Sequence, residues 1–500
     1  METLPSATSL GGWHSVAAMR ADDPGFLSAL RSQIGAEQVL QSPEDLAFYG
    51  TDRCRGGWPV APGAIALPGT VEQVQALVRL CAEHRVGLVP SGGRTGLTGA
   101  ATATAGELVL SLARLDRIHG VDPASRLLRC EAGATVEAVQ IAAAAQGLSY
   151  PIDFAAKGSA HIAGSVATNA GGVKVIRHGL TREWVAGLEV VLADGERMVL
   201  GGELVKDNTG YDLRQLFIGS EGTLGVIVGL TLKLARPPAG QVVALCSLPS
   251  DEAVLDLFER LRASSLALSA FECLDRGCID RVIAHRGVDQ AGPLAELGPQ
   301  QVLVEVEVPS VGSGELDGQG DIEVGIREAL TAVLGEAMEA GLILDAALAA
   351  GAAQARELWA WREDISESLH HYDPHKADVS VPIREVARFV GRWRAAVAEA
   401  LPEIPALCFG HVGDGNLHLN LLRPPGMSLE RFLERCHGFD ETMYGLVRDH
   451  RGSVSAEHGI GLLKRDYLAY TRSAREIAMM RAIKGVFDPL GILNPGKLLP

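Results

Sequence analysis

Apolar positions recur at a helical period between short apolar runs. Val74, Leu77, Val78 and Cys81 stand at i, i+3, i+4 and i+7, the stripe of an amphipathic helix. Thr70 precedes it, with Gln73 three residues on, a helix-start signal. Ile65–Pro68 before it and Val86–Val89 after it read as strands. The unit echoes: Val71-Glu72-x-Val74-Gln75 is matched by Val136-Glu137-x-Val139-Gln140, which follows Thr135. Unless the echo is chance, two β-α-β passages predict an α/β domain of two lobes. Val226–Leu234 is the next clear strand, and Arg236-Pro237-Pro238 breaks the pattern. Beyond it, strands Val242–Leu248 and Val302–Val308 alternate with helices Glu252–Ala263 and Ile322–Ala340. The Gly-rich stretch Val311–Asp321 reads as a surface loop. From about Ser455 two helices are expected before the chain closes on Asn494-Pro495-Gly496-Lys497. The fold class expected is α+β: a lead-in at 1–50, a two-lobed α/β domain at 51–237, an α+β domain with an antiparallel sheet at 238–454, and a C-terminal helical segment at 455–500.

Composition narrows the function classes. With 500 residues the chain exceeds one ordinary core. Its 45 Lys and Arg against 61 Asp and Glu give a net charge of −16, which repels phosphate backbones and argues against nucleic-acid binding. A local basic pocket is still compatible with that charge. No apolar run approaches the ~18–20 residues of a membrane span. Glu2 near the start and Arg20 as the sole arginine before Asp22 fit neither a secretory signal nor a transit peptide. The eight cysteines contain no C-x-x-C pair and read as reduced thiols. A cytoplasmic location is expected, with a mitochondrial matrix location left open.

Three glycine-rich loops carry the first candidate chemistry. Residues 90–99 read PSGGRTGLTG directly after a strand. Glycines there let backbone N–H groups approach a ligand and form an anion nest suited to a pyrophosphate. The spacing Gly93-x-x-Gly96-x-x-Gly99 is neither G-x-G-x-x-G nor G-x-x-x-x-G-K-[ST], so the NAD and P-loop readings fail. Residues 158–172 read GSAHIAGSVATNAGG and residues 218–227 read IGSEGTLGVI. Any one of these is compatible with an ordinary tight connection. Together they predict a long, phosphate-bearing cofactor.

A second constellation lies downstream. Residues 408–420 read CFGHVGDGNLHLN, with Gly413-Asp414-Gly415 as a turn between two strand-like pieces. Folded as a hairpin, this brings His411 and His418 to one side. His418 and Asn420 are two apart and share a strand face. Residues 455–461 read SAEHGIG and set Glu457 beside His458. Two His and one carboxylate form a common catalytic metal set that leaves coordination open to a substrate.

Residues 357–370 read ELWAWREDISESLH, where Arg362 and Ser366 are one helical turn apart and expected to share a face. Lys376 follows in HKADVSVPI. An Arg fork and a Lys point charge suit a carboxylate. Glu363 and Asp364 beside Arg362 also permit an ordinary solvated face.

The three glycine loops resemble the FAD-binding domain of the vanillyl-alcohol-oxidase-type flavoproteins. That resemblance implies FAD bound by the 51–237 domain, with contacts from Ser91, Gly92, Gly93, Arg94, Thr95, Gly96, Leu97, Gly158, Ser159, Gly164, Thr168, Asn169, Glu221, Gly222 and Ile227. Some members attach FAD through a His in the first loop; Arg94 stands here with no His, so FAD is expected to be non-covalent. WREDISESL, HKADVSVPI, GHVGDGNLHLN, SAEHGIG and the terminal NPGK resemble, within that superfamily, the D-2-hydroxyglutarate dehydrogenase family. This likeness runs from about residue 40 to the end. It implies zinc, or Mn²⁺ or Co²⁺, on His411, His418 and Glu457. It implies Arg362, Ser366 and Lys376 on the far carboxylate, Asn420 on the near end, His458 as substrate contact and base, and Asn494 on the flavin. Ser366 stands where the family often has Thr, and a hydroxyl is retained. The implied reaction is oxidation of D-2-hydroxyglutarate, with D-malate as a further substrate. Electrons would pass to a non-NAD acceptor such as an electron-transfer flavoprotein or a quinone, and a homodimer is the default assembly. Rival readings are a D-lactate or glycolate dehydrogenase of the same superfamily, a zinc hydrolase, and a non-catalytic flavin-binding subunit.

Overall fold

The computed structural model describes residues 19–54, 56–289, 292–310 and 319–500. It divides into two compact units. The first comprises residues 1–171, 180–235 and 457–500; the second comprises 172–179 and 236–456.

The first unit has two sheets. Strands β1 (Val39–Leu40), β2 (Ala64–Ala66), β3 (Leu88–Ser91) and β4 (Leu108–Ser111) form one, in the order β1-β2-β4-β3. Here β4 pairs parallel with both β2 and β3. Strands β5 (Ile118–Asp122), β6 (Leu127–Glu131), β7 (Val185–Val191), β8 (Arg197–Gly201) and β9 (Val226–Lys233) form the other, antiparallel and ordered β5-β6-β9-β7-β8. Both echoed helices form. Thr70 Oγ1 accepts the Gln73 N–H at 3.3 Å and Gln73 Oε1 accepts from Gly69 at 2.7 Å, so the start of Val71–His84 is closed from both sides. Its stripe Val74, Leu77, Val78 and Cys81 is fully buried. Thr135 caps Val136–Ala144 in the same way, accepting from Ala138 at 3.1 Å.

The lead-in is more structured than its weak periodicity suggests. Residues 1–18 lie outside the described residues. From Ala21 onward the chain packs into the first core, with helices Pro24–Ile34 and Pro43–Tyr49. Each starts with a side-chain cap followed by proline, Asp23-Pro24 and Ser42-Pro43. That signal is local, because proline at the first helical position costs no hydrogen bond. The expected loop at Val311–Asp321 lies outside the described residues up to 318, and Gln319 already opens the helix Gln319–Glu339.

Residues 457–500 belong to the first unit because their polar groups are satisfied there. One of the two helices expected is α-helical, Ala474–Phe487, and the other is a 3₁₀ stretch, Arg465–Tyr470. Leu88 and Asn494 extend the edge of β3 through N–H···O bonds, Leu88 to Ile492 at 2.8 Å and Asn494 to Leu88 at 2.7 Å. Buried Lys484 donates to the carbonyls of Thr223 (2.6 Å) and Leu493 (2.8 Å) and pairs with Asp488.

The second unit is built on one seven-stranded antiparallel sheet. Its strands are β10 (Gly240–Leu248), β11 (Leu268–Asp275), β12 (Gln300–Val308), β13 (Asp345–Leu348), β14 (His375–Ser380), β15 (Ala406–Gly410) and β16 (Asn416–Leu421). The order is β13-β10-β12-β11-β15-β16-β14. Register decides which side chains share a face, since directly opposed residues point the same way. Leu245 opposes Leu303, Leu303 opposes Glu272, and Leu274 opposes Phe409. Phe409 then opposes His418, which opposes Asp378; Asn420 opposes Lys376. One sheet face therefore runs from an apolar core at β10 and β12 to a polar end at β16 and β14. Helices Arg276–Arg286 and Ala352–Glu363 cover its apolar part through Ile279, Val282, Leu358 and Trp359. On the opposite face Phe271 meets Phe258 of Asp251–Ala263, ring centroids 4.9 Å apart. Among the described residues no helix is long and apolar enough to cross a membrane.

Replacing Lys484 with Met strands the Asp488 carboxylate and two buried carbonyls. A stability loss of about 3–5 kcal/mol is expected, read as a lower urea midpoint; an unchanged midpoint would show that the C-terminal segment is held without this ammonium.

Candidate active site

In the first unit the three glycine loops interlock. A Cβ on Gly93 would sit 1.9 Å from the Ser159 carbonyl, so loop one closes on loop two only because residue 93 has no side chain. Loop three is tied to loop two by the Glu221 N–H on the Ala167 carbonyl at 2.8 Å. Asn494 closes the ring, its Nδ2 donating to the carbonyls of Ala100 (2.9 Å) and Glu221 (2.7 Å). The Ser91 Oγ, His161 Nδ1 and Asn494 Oδ1 atoms are buried without a partner within the protein. Buried polar atoms rarely stay unpaired, and a polar cofactor in this cradle would satisfy them. A Cβ on Gly164 would meet open space.

Several residues expected at the cofactor have other engagements. Arg94, at φ +54°, stacks its guanidinium over Phe48 and Tyr49 at 4.3 and 4.6 Å. Asn169 Oδ1 accepts the Arg182 N–H at 3.0 Å, and the Thr168 hydroxyl donates to the Gly164 carbonyl at 3.1 Å. The Glu221 carboxylate accepts the N–H groups of Ile460 and Gly461, both at 2.7 Å. It thereby ties loop three to the SAEHGIG segment. Burial pushes the Glu221 carboxyl up, and those two N–H groups and Lys464 pull it back. Gly461, at φ +52°, presses on the Thr98 carbonyl, where a Cβ would stand at 2.3 Å. Thr98 also donates its hydroxyl to the His458 carbonyl at 3.3 Å. The backbone that carries Glu457 and His458 is thus fixed by loops one and three. Their side chains face each other, His458 Nε2 lying 3.7 Å from Glu457 Oε1.

In the second unit the expected hairpin forms, β15 and β16 joined by the turn Val412–Asp414 with Gly415 at φ +83°. His411 Nε2 and His418 Nε2 lie 3.4 Å apart. Two ligands of one tetrahedral ion, each bonded at ~2.0–2.1 Å, are themselves ~3.4 Å apart. The pair therefore already has the spacing that a shared cation requires.

Behind each imidazole stands a carboxylate. Glu272 Oε1 meets His411 Nδ1 at 2.6 Å, and Asp378 Oδ1 lies 3.6 Å from His418 Nδ1. Glu272 Oε2 also accepts Arg362 Nε at 2.7 Å. Burial alone would raise the Glu272 carboxyl, but His411 and Arg362 outweigh it and hold the group at about 2. An ionised carboxylate only accepts, so His411 donates from Nδ1 and turns its Nε2 lone pair toward His418. Asp378 is held by Asn416 Nδ2 at 2.7 Å and by the Ala456 N–H at 3.2 Å. Glu457 is the next residue along the chain.

The anion-binding residues are placed unequally. Arg362 is buried, with its guanidinium 4.8 Å from the Phe409 ring centre. The helix expected to carry both Arg362 and Ser366 stops at Glu363, and a separate turn spans Ile365–Ser368. Ser366 is exposed there while Arg362 is buried, so the two stand on separate helical turns and not on the one uninterrupted helix expected. The break falls at Asp364, whose carboxylate is drawn aside by Arg286 at 2.7 Å. Lys376 sits opposite Asn420 in the β14–β16 ladder and is exposed. Asn420 is buried and donates to the His418 carbonyl at 3.1 Å.

Sequence reasoning missed Glu272, Asp378 and Asp52. Glu272 carried a readable signal, an acid within the apolar strand run AFECL. Such a position is costly without a partner.

The comparisons agree with this architecture. The profile described as "FAD binding domain" matches residues 62–201, and "FAD linked oxidases, C-terminal domain" matches residues 237–498. The chain belongs to the FAD-linked oxidase family. A D-2-hydroxyglutarate dehydrogenase of Xanthomonas citri pv. viticola is 46% identical over 95% of this chain and 97% of its own length. One of Stutzerimonas stutzeri is 40% identical over 95% and 99%, and a mitochondrial one of Bos taurus is 38% identical over 93% and 81%. Among solved structures, p-cresol methylhydroxylase with substrate bound superposes with a TM-score of 0.71 at 16% identity, covering 96% of this chain and 97% of that one. A 4-ethylphenol oxidase from Gulosibacter chungangensis gives 0.70 at 18% identity, covering 95% and 96%. These two show the shared fold.

Asp52 gives the first-unit site a pH signature. Its Oδ1 accepts the Cys54 N–H at 2.9 Å, and it lies under Gly96 of loop one. Burial raises the carboxyl from its ordinary 3.8 to about 6, against backbone N–H groups of Cys54, Ala101 and Gly99. Between those values the folded chain holds the proton that the unfolded chain has lost. Stability therefore falls as pH rises through about 4 to 6. Asp52→Asn should abolish up to about 3 kcal/mol of that fall, measured by denaturant titration at pH 4 and pH 7. The same fall in the variant would assign it to another group.

Proposed function

We propose that the protein oxidises D-2-hydroxyglutarate, and D-malate as a shorter analogue, to the 2-oxo acid. The observation that carries this reading is the 3.4 Å approach of two imidazole nitrogens, linked through Glu272 to a buried guanidinium. A cation and a carboxylate-binding group side by side suit a 2-hydroxy dicarboxylate.

The cradle residues around Ser91–Leu97, Gly158, Ser159, Gly164, Thr168, Asn169, Glu221, Gly222, Ile227 and Asn494 would hold FAD non-covalently. His411, His418 and Glu457 would hold a divalent ion, with zinc favoured by the nitrogen-rich set and Mn²⁺ or Co²⁺ also compatible. When bound, the flavin supplies a hydride acceptor at N5, and the ion supplies a Lewis acid that lowers the pKa of a coordinated hydroxyl. The chain's own residues do the rest. Arg362, Ser366 and Lys376 take the distal carboxylate, which fixes C2 in position. Asn420 contacts the near carboxylate. The His458 imidazole accepts the C2 hydroxyl proton on a ring nitrogen, acting as the general base.

Electrons would leave to an electron-transfer flavoprotein or a quinone. The absence of disulfides among the described cysteines fits a reducing compartment such as the cytoplasm, and a homodimer is the common assembly. A second reading, oxidation of D-lactate or glycolate, is favoured by one observation: Arg362 already spends its Nε on Glu272. A monocarboxylate would need no further guanidinium.

Anaerobic mixing with D-2-hydroxyglutarate should bleach the flavin faster than D-lactate at equal concentration. Faster bleaching by D-lactate would favour the second reading. His458→Ala should slow that bleaching by about 10²–10⁴-fold; unchanged kinetics would exclude His458 as the base.

A further inference from the structure

Glu272 touches both a predicted metal ligand and the predicted substrate-anchoring arginine. Its two oxygens are divided: Oε1 to His411 Nδ1 at 2.6 Å, Oε2 to Arg362 Nε at 2.7 Å. The side chain is fully buried in the central part of the sheet, on β11. The Arg362 guanidinium also lies 4.8 Å from the centre of the Phe409 ring.

A single buried anion shared between an imidazole N–H and a guanidinium cannot serve both fully. Strengthening one hydrogen bond draws electron density from the other. A cation on His411 Nε2 makes Nδ1–H a stronger donor, which pulls Glu272 toward His411 and loosens its hold on Arg362. The guanidinium is then freer to accept an external carboxylate. The converse holds by linkage.

We propose that Glu272 is a positioning residue that couples metal affinity at His411 to anion affinity at Arg362, an inference that rests on the metal reading given above. It acts through those two side chains and touches no reacting atom. The coupling makes the free enzyme self-quenched: Arg362 is neutralised internally until the metal is seated.

The test uses the FAD-loaded protein, stripped of divalent metal and titrated with Zn²⁺ against a chromophoric chelator. Glu272→Gln should weaken Zn²⁺ binding about 10–100-fold. Arg362→Gln should do the opposite and tighten it about fivefold or more, because Glu272 is then left to His411 alone. In the Glu272→Gln background the Arg362→Gln change should have no further effect. A merely structural wedge predicts weaker binding in both single variants, and that result overturns the proposal. Tightening that persists undiminished in the double variant overturns it too, since removal of a nearby positive charge would then act directly. Should Glu272→Gln fail to fold, Arg362→Gln still decides: unchanged or weaker Zn²⁺ affinity overturns the coupling. A wild-type protein that takes up no Zn²⁺ overturns the metal reading itself and this inference with it. Zn²⁺ uptake with equal affinity in wild type and Glu272→Gln overturns the inference alone.

Discussion

A charged carboxylate enclosed by protein has to find its compensating donors there, and Glu272 finds the His411 imidazole and the Arg362 guanidinium. That requirement organises the second unit. The acid lies on β11, on the sheet face whose β10 and β12 part is apolar core, and the pairing register carries the same face on to His418, Asp378, Lys376 and Asn420. Packing and polar chemistry therefore share one surface. The boundary between them is Phe409, whose ring meets both the Arg362 guanidinium and the His418 imidazole. Isolated, a buried carboxylate would cost several kcal/mol. Between two donors it instead fixes the tautomer of an imidazole and the orientation of a guanidinium.

The first unit solves a different problem, that of holding open, glycine-rich backbone in one conformation. Loops without side chains have little to pack, so their order comes from hydrogen bonds delivered by residues distant in sequence. Asn494, Glu221 and Lys484 do this from the C-terminal segment and loop three. The chain returns to its first sheet at Leu88 after some four hundred residues, and the return places SAEHGIG against loops one and three. The carbonyl of His458 is thus held by the domain that carries the flavin signature.

Much of this was legible from residue order. Threonine caps with a periodic apolar stripe gave the helices after Thr70 and Thr135, and the Gly413-Asp414-Gly415 turn gave the hairpin with its converging imidazoles. What stayed hidden depends on partners that sequence does not juxtapose. Glu272 and His411 are 139 residues apart, and no spacing rule links them. The helix through Arg362 and Ser366 ends sooner than the pattern predicts, at Glu363, and the Arg286–Asp364 ion pair beside that break is a tertiary contact that no local signal announces. The two early helices were passed over although their cap-proline pairs were local and readable.

X-ray absorption at the zinc edge of the Zn²⁺-loaded protein addresses the central claim directly. The account predicts a first shell of nitrogen and oxygen only, at ~2.0–2.2 Å, with the outer-shell scattering of two imidazoles that is lost in a His411→Ala, His418→Ala double variant. A sulfur shell at ~2.3 Å, or imidazole scattering that survives the double variant, would contradict it.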